Sequence, residues 1–214
     1  MEYSESLVRL SLCGVLLAAS ACGGELSERD QPPAGQSDTA RPDKADQGMK
    51  ARANIAGPPG SGIKGEVTFV ELGGNAPVPG VRIEARITGP ADRLTPGPHG
   101  LHIHETGQGG CVPPYEAAQG HFDPGPAGNP DPDVNHPFHL GDIPNLIVDQ
   151  NGAGTLDATT SRITLSSGPL SVFDGNGSSI IVHEKADQGI SGPAKSGVSG
   201  GGRIACGVIE RSTE

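Results

Sequence analysis

The chain of 214 residues contains no tryptophan, only two tyrosines and only four phenylalanines. It is rich instead in glycine, with 34 residues, and in proline, with 20. This composition favours short strands joined by many turns over long helices. The formal net charge of −10 lacks the basic footprint that nucleic-acid binding requires. Nucleic acid is therefore not expected as a partner.

The sequence contains no apolar run long enough to span a bilayer as a helix. A shorter apolar run, Leu10 to Ala19, lies near the start. Such a run is typical of an export signal, and we predict a signal peptide over residues 1–22. The following Ala19-Ser20-Ala21-Cys22 resembles a bacterial lipobox, whose cysteine is lipidated and becomes the mature N-terminus. An ordinary secretory signal is the alternative, because Ala19 stands where leucine is usual. Both predict export to the cell envelope or periplasm, and the first adds a lipid anchor at Cys22 to a membrane.

Cysteine is scarce, with four residues in the whole chain. Cys13 lies in the predicted signal and Cys22 at the predicted anchor, which leaves Cys111 and Cys206. An even pair in an exported protein predicts one disulfide. Two free buried thiols are the alternative.

The remaining chain divides into a polar stretch and a strand-rich part. Residues 23–59 are polar and poor in aliphatics, which predicts a disordered tether, so the folded domain is expected over residues 60–211. Strand-like runs separated by turns predict an all-β antiparallel sandwich or barrel. These runs are Lys64–Leu72, Val81–Ile87, Leu101–His104, Leu146–Val148, Ser161–Leu165, Ser179–Val182 and Ile204–Ile209. Two long loops rich in glycine or proline, at about 106–137 and 185–202, are expected to be functional.

All seven histidines lie between His99 and His183. Residues i and i+2 of a strand face the same side, so His102 and His104 form a two-nitrogen chelate. His183 ends an apolar run, and Asp142 follows His139 closely, which adds a carboxylate suited to zinc. His99 lies at an odd offset and is expected to be structural. The pattern predicts a metal site.

Five segments in their order resemble the copper/zinc superoxide dismutase family over about residues 60–210. The resemblance implies a flattened eight-stranded Greek-key β-barrel with two long functional loops. It also implies dismutation of superoxide to dioxygen and hydrogen peroxide by a redox-cycling copper, which a histidine bridges to a structural zinc. The enzyme would protect the cell envelope and would be compatible with a homodimer. The segments are Gly100–Glu105, Gly120–Pro124, His139–Asp142, Ile181–Asp187 and Gly202–Ile209.

The resemblance also implies roles for individual residues. Copper would be bound by His102, His104, His121 and His183, and zinc by His121, the bridge, with His139 and Asp142. Asp187 would hydrogen-bond ligands of both metals. Arg203 would hold the substrate anion, and Lys195 would add positive potential near the channel. A Cys111–Cys206 disulfide would pin the zinc-side loop to the last strand.

One zinc ligand departs from the family pattern. A further histidine is expected well before His139, but Gly125–Pro130 contains none. His136 is the candidate replacement and would complete a site of four ligands. A solvent-facing His136 beside a weak zinc site is the alternative.

Two other functions compete with the enzyme. An exported protein that buffers copper or zinc would need the histidines but neither Arg203 nor Asp187. A structural envelope lipoprotein would need the tether but not the histidines. The full set of residues favours the enzyme.

Overall fold

The computed structural model describes residues 47–73, 76, 79–125 and 128–212. The predicted signal peptide, Cys22 and most of the predicted tether therefore lie outside the described residues. Within the described part of the chain, the only helix is a single 3-10 turn at Glu116–Ala118, and no helix has the length and apolar character needed to cross a membrane.

In the described residues nine antiparallel strands form one sheet, in the order β4-β6-β7-β3-β2-β1-β9-β8-β5. Neighbours such as β3 and β7, or β1 and β9, are distant in sequence, so the chain crosses repeatedly from one part of the sheet to another. The strands are β1 Gln47–Ala56, β2 Lys64–Leu72, β3 Gly80–Thr88, β4 Gly97–His99, β5 Leu101–His104, β6 Leu146–Val148, β7 Ala153–Thr160, β8 Ser179–His183 and β9 Arg203–Ser212.

The two edge strands of this sheet, β4 and β5, are separated in sequence by Gly100 alone. The chain therefore passes directly from one edge to the other and nearly closes the barrel. A Cβ at Gly100 would lie 3.1 Å from the carbonyl oxygen of Ser199, closer than most such contacts. The prediction of an all-β Greek-key barrel is confirmed. The described residues form nine strands and not the expected eight, because a bend at Gly100 separates β4 from β5.

The core lies inside the barrel and follows the strand alternation. On β3 the side chains of Val81, Ile83, Ala85 and Ile87 are all buried, as the alternating pattern predicts, while Arg82 points outward. Phe69 of β2 pairs in register with Ile83 and is fully buried. Burial of apolar area of this kind is the main favourable term in folding.

The predicted boundary between tether and domain at residue 60 is wrong. Strand β1, over Gln47–Ala56, lies in the middle of the sheet between β2 and β9. Its buried positions are Ala51, Ala53 and Ile55. Alanines give a weak apolar signal, and the glycines and prolines around them are typical of a linker. The alternation of these buried residues therefore does not predict a strand.

Strand β7 was also not predicted, and one predicted strand does not form. The sequence of β7, Ala153–Thr160, is small and polar, yet it pairs with β3 along eight residues. The run Ser161–Leu165 instead enters a turn, in which Thr164 makes an isolated bridge to Ser171. Pairing with a neighbour therefore decided these segments, against their local propensity.

Both predicted long loops leave adjacent strands on the same part of the barrel. The first joins β5 to β6 and the second joins β8 to β9, and β5, β8 and β9 are neighbours in the sheet. The predicted disulfide is confirmed, since Cys111 of the first loop is bonded to Cys206 of β9. This bond fixes the start of the first loop to the last strand.

Removing the disulfide should destabilise the fold. The bond spans a sequence separation of 95 residues, so a Cys111→Ser/Cys206→Ser variant should lose about 4 kcal/mol of unfolding free energy, because its unfolded chain gains conformational freedom. Urea unfolding of the metal-free protein measures this, with chemically reduced wild type as the control. A loss below about 1 kcal/mol would contradict the constraint we assign to the bond.

Candidate metal centre

The centre is built on β5, whose four residues are all buried. Leu101 and Ile103 enter the core, and His102 and His104 project from the opposite face, as the period of a strand requires. That face is covered by the two long loops. The paired imidazoles therefore start from a fixed backbone and are shielded from water.

Backbone hydrogen bonds bring the first loop back onto β5 at two places. Phe122 N donates to Ile103 O at 2.8 Å, and Ile103 N donates to Gly141 O at 3.0 Å. These contacts set His121 beside His104 and Asp142 beside His102. A Cβ at Gly141 would lie 2.3 Å from Ile103 O, so only glycine permits this approach. Residues far apart in sequence are thereby placed together.

Four imidazoles converge on one point. Each has one nitrogen held by protein oxygen: His104 Nδ1 donates to Gln119 O at 2.9 Å, and His183 Nδ1 donates to Gly201 O at 3.1 Å. The other nitrogen of each ring is buried without a hydrogen-bond partner, and ligand atoms of the four rings lie within 4.8 Å of one another. The unpartnered atoms are His102 Nδ1, His104 Nε2, His121 Nε2 and His183 Nε2.

A second group surrounds the Asp142 carboxylate. His121 Nδ1 lies 2.6 Å from Asp142 Oδ1, and His139 Nδ1 lies 2.9 Å from Asp142 Oδ2. His136 Nδ1 lies 3.2 Å from Asp142 Oδ2 but does not have the geometry of a hydrogen bond to it. Three imidazoles and one carboxylate are therefore within reach of a single cation, and His121 belongs to both groups.

Asp187 connects the two groups. Its Oδ2 accepts from His102 Nε2 at 3.1 Å, and its Oδ1 accepts from His136 Nε2 at 2.6 Å. Its own backbone is held by Asn145, whose side chain bonds both Asp187 N and Asp187 O. A partner of this kind fixes the orientation of both rings.

The imidazole of His136 differs in pKa from those of the first group because it lies against two carboxylates. Burial lowers the pKa of His102 to about 4, of His121 to about 4 and of His183 to about 3. Burial acts against the charged form of His136 too, but the carboxylates of Asp142 and Asp187 outweigh it and raise the pKa of His136 to about 9. The first group therefore presents neutral imidazoles with free electron pairs, as a metal ligand must.

Arg203 lies beside the first group at the wall of an open cavity. Its guanidinium donates to Tyr115 O at 2.6 Å and to Gln119 O at 2.5 Å. His183 and Lys195 line the same cavity, together with the carboxylates of Glu105 and Glu116. Of the four converging rings, His183 lines this cavity.

His99 stays outside both groups. Its Nδ1 bonds the carbonyl oxygen of His183 at 2.7 Å, and its Nε2 bonds that of Thr95 at 2.8 Å. Both ring nitrogens are thus used within the protein, in keeping with the structural role expected of it.

Three contributors to the site had no recognisable signal in the sequence. Tyr115 and Gln119 hold Arg203 through their carbonyl oxygens, which any residue type possesses. Arg162 donates to the carbonyl oxygens of Pro137 and His139 and so supports the segment that carries His136. Backbone contacts of this kind follow from the path of the loop and not from residue type.

Comparison with known proteins places this site in a family. The sequence model described as copper/zinc superoxide dismutase (SODC) matches residues 63–209. A copper/zinc superoxide dismutase of Deinococcus radiodurans is 38% identical over 156 residues, covering 68% of this chain and 79% of that protein. An extracellular copper/zinc superoxide dismutase of Drosophila melanogaster is 34% identical over 172 residues, covering 75% and 84%.

The fold has solved counterparts as well. The crystal structure of a protein from Bacillus subtilis described as superoxide dismutase-like superposes with a TM-score of 0.57 at 30% identity. The match covers 73% of this chain and 95% of that chain. Sequence and structure therefore point to the same family.

Zinc binding should depend on His136. A His136→Ala variant should bind zinc at least about 100-fold more weakly, because the second group of residues, which surrounds Asp142, would lose one of its four ligands. Metal analysis and chelator competition measure this. Phe138→Ala is the matched control, since Phe138 lies in the same segment with its side chain 67% exposed. Full zinc retention in His136→Ala would show that His136 is not a ligand.

Proposed function

We propose, from the premise that the chain belongs to the copper/zinc superoxide dismutase family, that its two buried histidine groups form one bimetallic centre. Family membership makes the chain a superoxide dismutase that uses copper and zinc. The proposal concerns the residues that hold each metal and guide the substrate, and the place in the cell where the enzyme works.

The observation that carries the proposal is the set of unpartnered nitrogens. A buried polar atom without a hydrogen bond is costly, so native proteins seldom contain one. Here four such atoms, on His102, His104, His121 and His183, face one another. Imidazole-rich sites suit Cu²⁺, which makes this group the copper site.

The second group suits zinc. His121, His136, His139 and Asp142 supply three nitrogens and one carboxylate, and zinc in closed sites takes four such ligands. His121 would bind copper through Nε2 and zinc through Nδ1. His136 would be the third zinc histidine, reached by a different path of the loop.

The chemistry divides between the metals and the protein. When bound, copper supplies one-electron redox chemistry and zinc a fixed positive charge, so that two superoxide anions and two protons give dioxygen and hydrogen peroxide. His121 Nε2 would carry a proton for the product whenever it is not bound to copper, and the contact of Nδ1 with Asp142 fixes the ring. Asp187 keeps His102 and His136 oriented, and the buried β5 face excludes bulk water.

Guidance of the anion must be local, because the chain as a whole carries a net charge of −10. Arg203 and Lys195 are the cations of the cavity wall, beside His183. The two carbonyl contacts of Arg203 fix its guanidinium so that it can bind an anion at the site. Glu105, Glu116, Asp131 and Asp133 line the same cavity, so the attraction must act at short range, from a cation held beside the site.

The N-terminal sequence supports a site of action at the cell envelope. The apolar run Leu10 to Ala19 ahead of Cys22 supports export and a lipid anchor, and the Cys111–Cys206 disulfide suits an oxidising compartment. The enzyme would then remove superoxide at the cell envelope.

A superoxide-consumption assay on protein loaded with copper and zinc tests the proposal directly. We expect turnover that requires copper bound to His102, His104, His121 and His183. A protein that binds both metals at stoichiometry without turnover would instead be a metal-binding module.

Replacement of Arg203 should slow the enzyme without removing its metals. Arg203→Ala should lower kcat/KM by at least about tenfold, because the cavity loses its fixed guanidinium. The histidines should still bind both metals. Arg203→Lys should fall between, since lysine keeps the charge but not the planar two-carbonyl contact. Pulse radiolysis with metal analysis measures both. An unchanged kcat/KM in Arg203→Ala would refute the guiding role.

A further inference from the structure

Asp133 is a carboxylate of the first long loop that is buried, with 4% of its surface exposed. Among the described residues no lysine, arginine or histidine lies within ion-pair distance of it. A buried charge without an ionic partner is costly unless hydrogen bonds replace the lost water. The partners of Asp133 therefore indicate what it is for.

Every hydrogen bond accepted by its side chain comes from the second long loop. Asp133 Oδ2 accepts from Gly197 N at 2.8 Å. Asp133 Oδ1 accepts from Ser199 N at 3.1 Å and from Ser199 Oγ at 2.8 Å. The Asp133 carbonyl oxygen also accepts from Gly192 N at 2.8 Å. One residue thus holds residues 192–199 at both ends.

Lys195 lies inside the segment that Asp133 holds. The segment is closed on itself by a bond from Ser196 N to Pro193 O, and Lys195 takes a left-handed backbone conformation with φ of 63°. Asp133, Lys195, His183 and Arg203 all line one cavity. The end of the segment is also held by Gln188 N, which donates to Val198 O at 2.9 Å, and by the bridge between Asp187 and Ser199. The position of the Lys195 side chain therefore depends on these contacts together with those of Asp133.

We infer that Asp133 is a positioning residue for substrate entry, which fixes the Lys195 segment so that its ammonium group faces incoming superoxide. This inference rests on the proposed guidance of the anion by Lys195 and Arg203. Asp133 itself is an anion at the cavity wall, and on charge alone it would repel the substrate. Its benefit must come from the geometry that it imposes.

That opposition gives a test in which the two effects have different signs. Asp133→Asn removes a negative charge, which by electrostatics alone should raise kcat/KM for superoxide. It also replaces one carboxylate oxygen by an amide NH₂, which would oppose either Gly197 N–H or the Ser199 donors and so releases the segment on that side. We expect kcat/KM to fall by about threefold at low ionic strength, to the level of Lys195→Gln, and the loss to shrink as salt screens the charge.

The decisive measurement is a double-mutant cycle. Lys195→Gln should lower kcat/KM in the wild-type background and have little further effect in Asp133→Asn. Equal effects of Lys195→Gln in both backgrounds would overturn the inference. No effect of Lys195→Gln in wild type would overturn it as well, because Lys195 would then make no contribution to kcat/KM that Asp133 could support. A complete lack of turnover in wild type would instead contradict the proposed function.

Asp131→Asn is the matched control. Asp131 lines the same cavity, but its Oδ1 accepts only from Asp133 N and Val134 N, and an asparagine keeps that acceptor. This variant removes the same charge without releasing the segment, so kcat/KM should rise or stay level, with the Lys195 contribution intact. A fall equal to that of Asp133→Asn would overturn the inference.

A readout that does not depend on activity completes the test. Amide hydrogen exchange at Gly197 or Ser199, whose N–H groups donate to the Asp133 side chain, should accelerate at least about tenfold in Asp133→Asn and not in Asp131→Asn. If Asp133→Asn fails to fold, Ser199→Ala removes one of the three side-chain bonds and should give the same changes to a smaller extent. Unchanged exchange at these amides would overturn the inference.

Discussion

A buried imidazole needs a partner for both of its ring nitrogens, and this protein buries six such rings side by side. In the group of His102, His104, His121 and His183 one nitrogen of each ring is held by a carbonyl or carboxylate oxygen, and the other is buried with no hydrogen-bond partner among the described residues. Burial keeps these rings neutral, so their free electron pairs are available to a cation. An arrangement that would destabilise the fold by itself becomes affinity for metal. His121 carries this to its limit, because its two nitrogens face two different groups.

The rest of the structure serves this arrangement. The β5 strand supplies two rings from a rigid backbone, and the close contact at Gly141 brings in Asp142. Asp187 joins the two groups by bonding one ring of each. The disulfide holds the first loop to β9, the strand that begins with Arg203. Metal binding, the order of the loops and access of the substrate are therefore properties of one connected network. In the role we infer for it, Asp133 connects the first long loop to the Lys195 segment at the cavity wall.

Much of this was predictable because it follows from local periodicity. The alternation on β3 and the shared face of His102 and His104 each depend on a few neighbouring residues. The pairing of Cys111 with Cys206 was predictable for another reason, the even cysteine count of a chain expected to be exported. Strand β1 escaped prediction because Ala51 and Ala53 carry little apolar signal within a polar stretch. The position of His136 could be suspected only from a missing histidine upstream. The role of Asp133 had no signal at all, because its partners lie 64 and 66 residues away in a loop of glycine and serine.

The central claim is that two different metals share His121. Crystals of the protein loaded with copper and zinc, with anomalous diffraction recorded at both absorption edges, test it most directly. The account predicts copper bound to His121 Nε2 with His102, His104 and His183, and zinc bound to His121 Nδ1 with His136, His139 and Asp142. A single metal peak, or a zinc peak without His136 and His121 among its ligands, would contradict it.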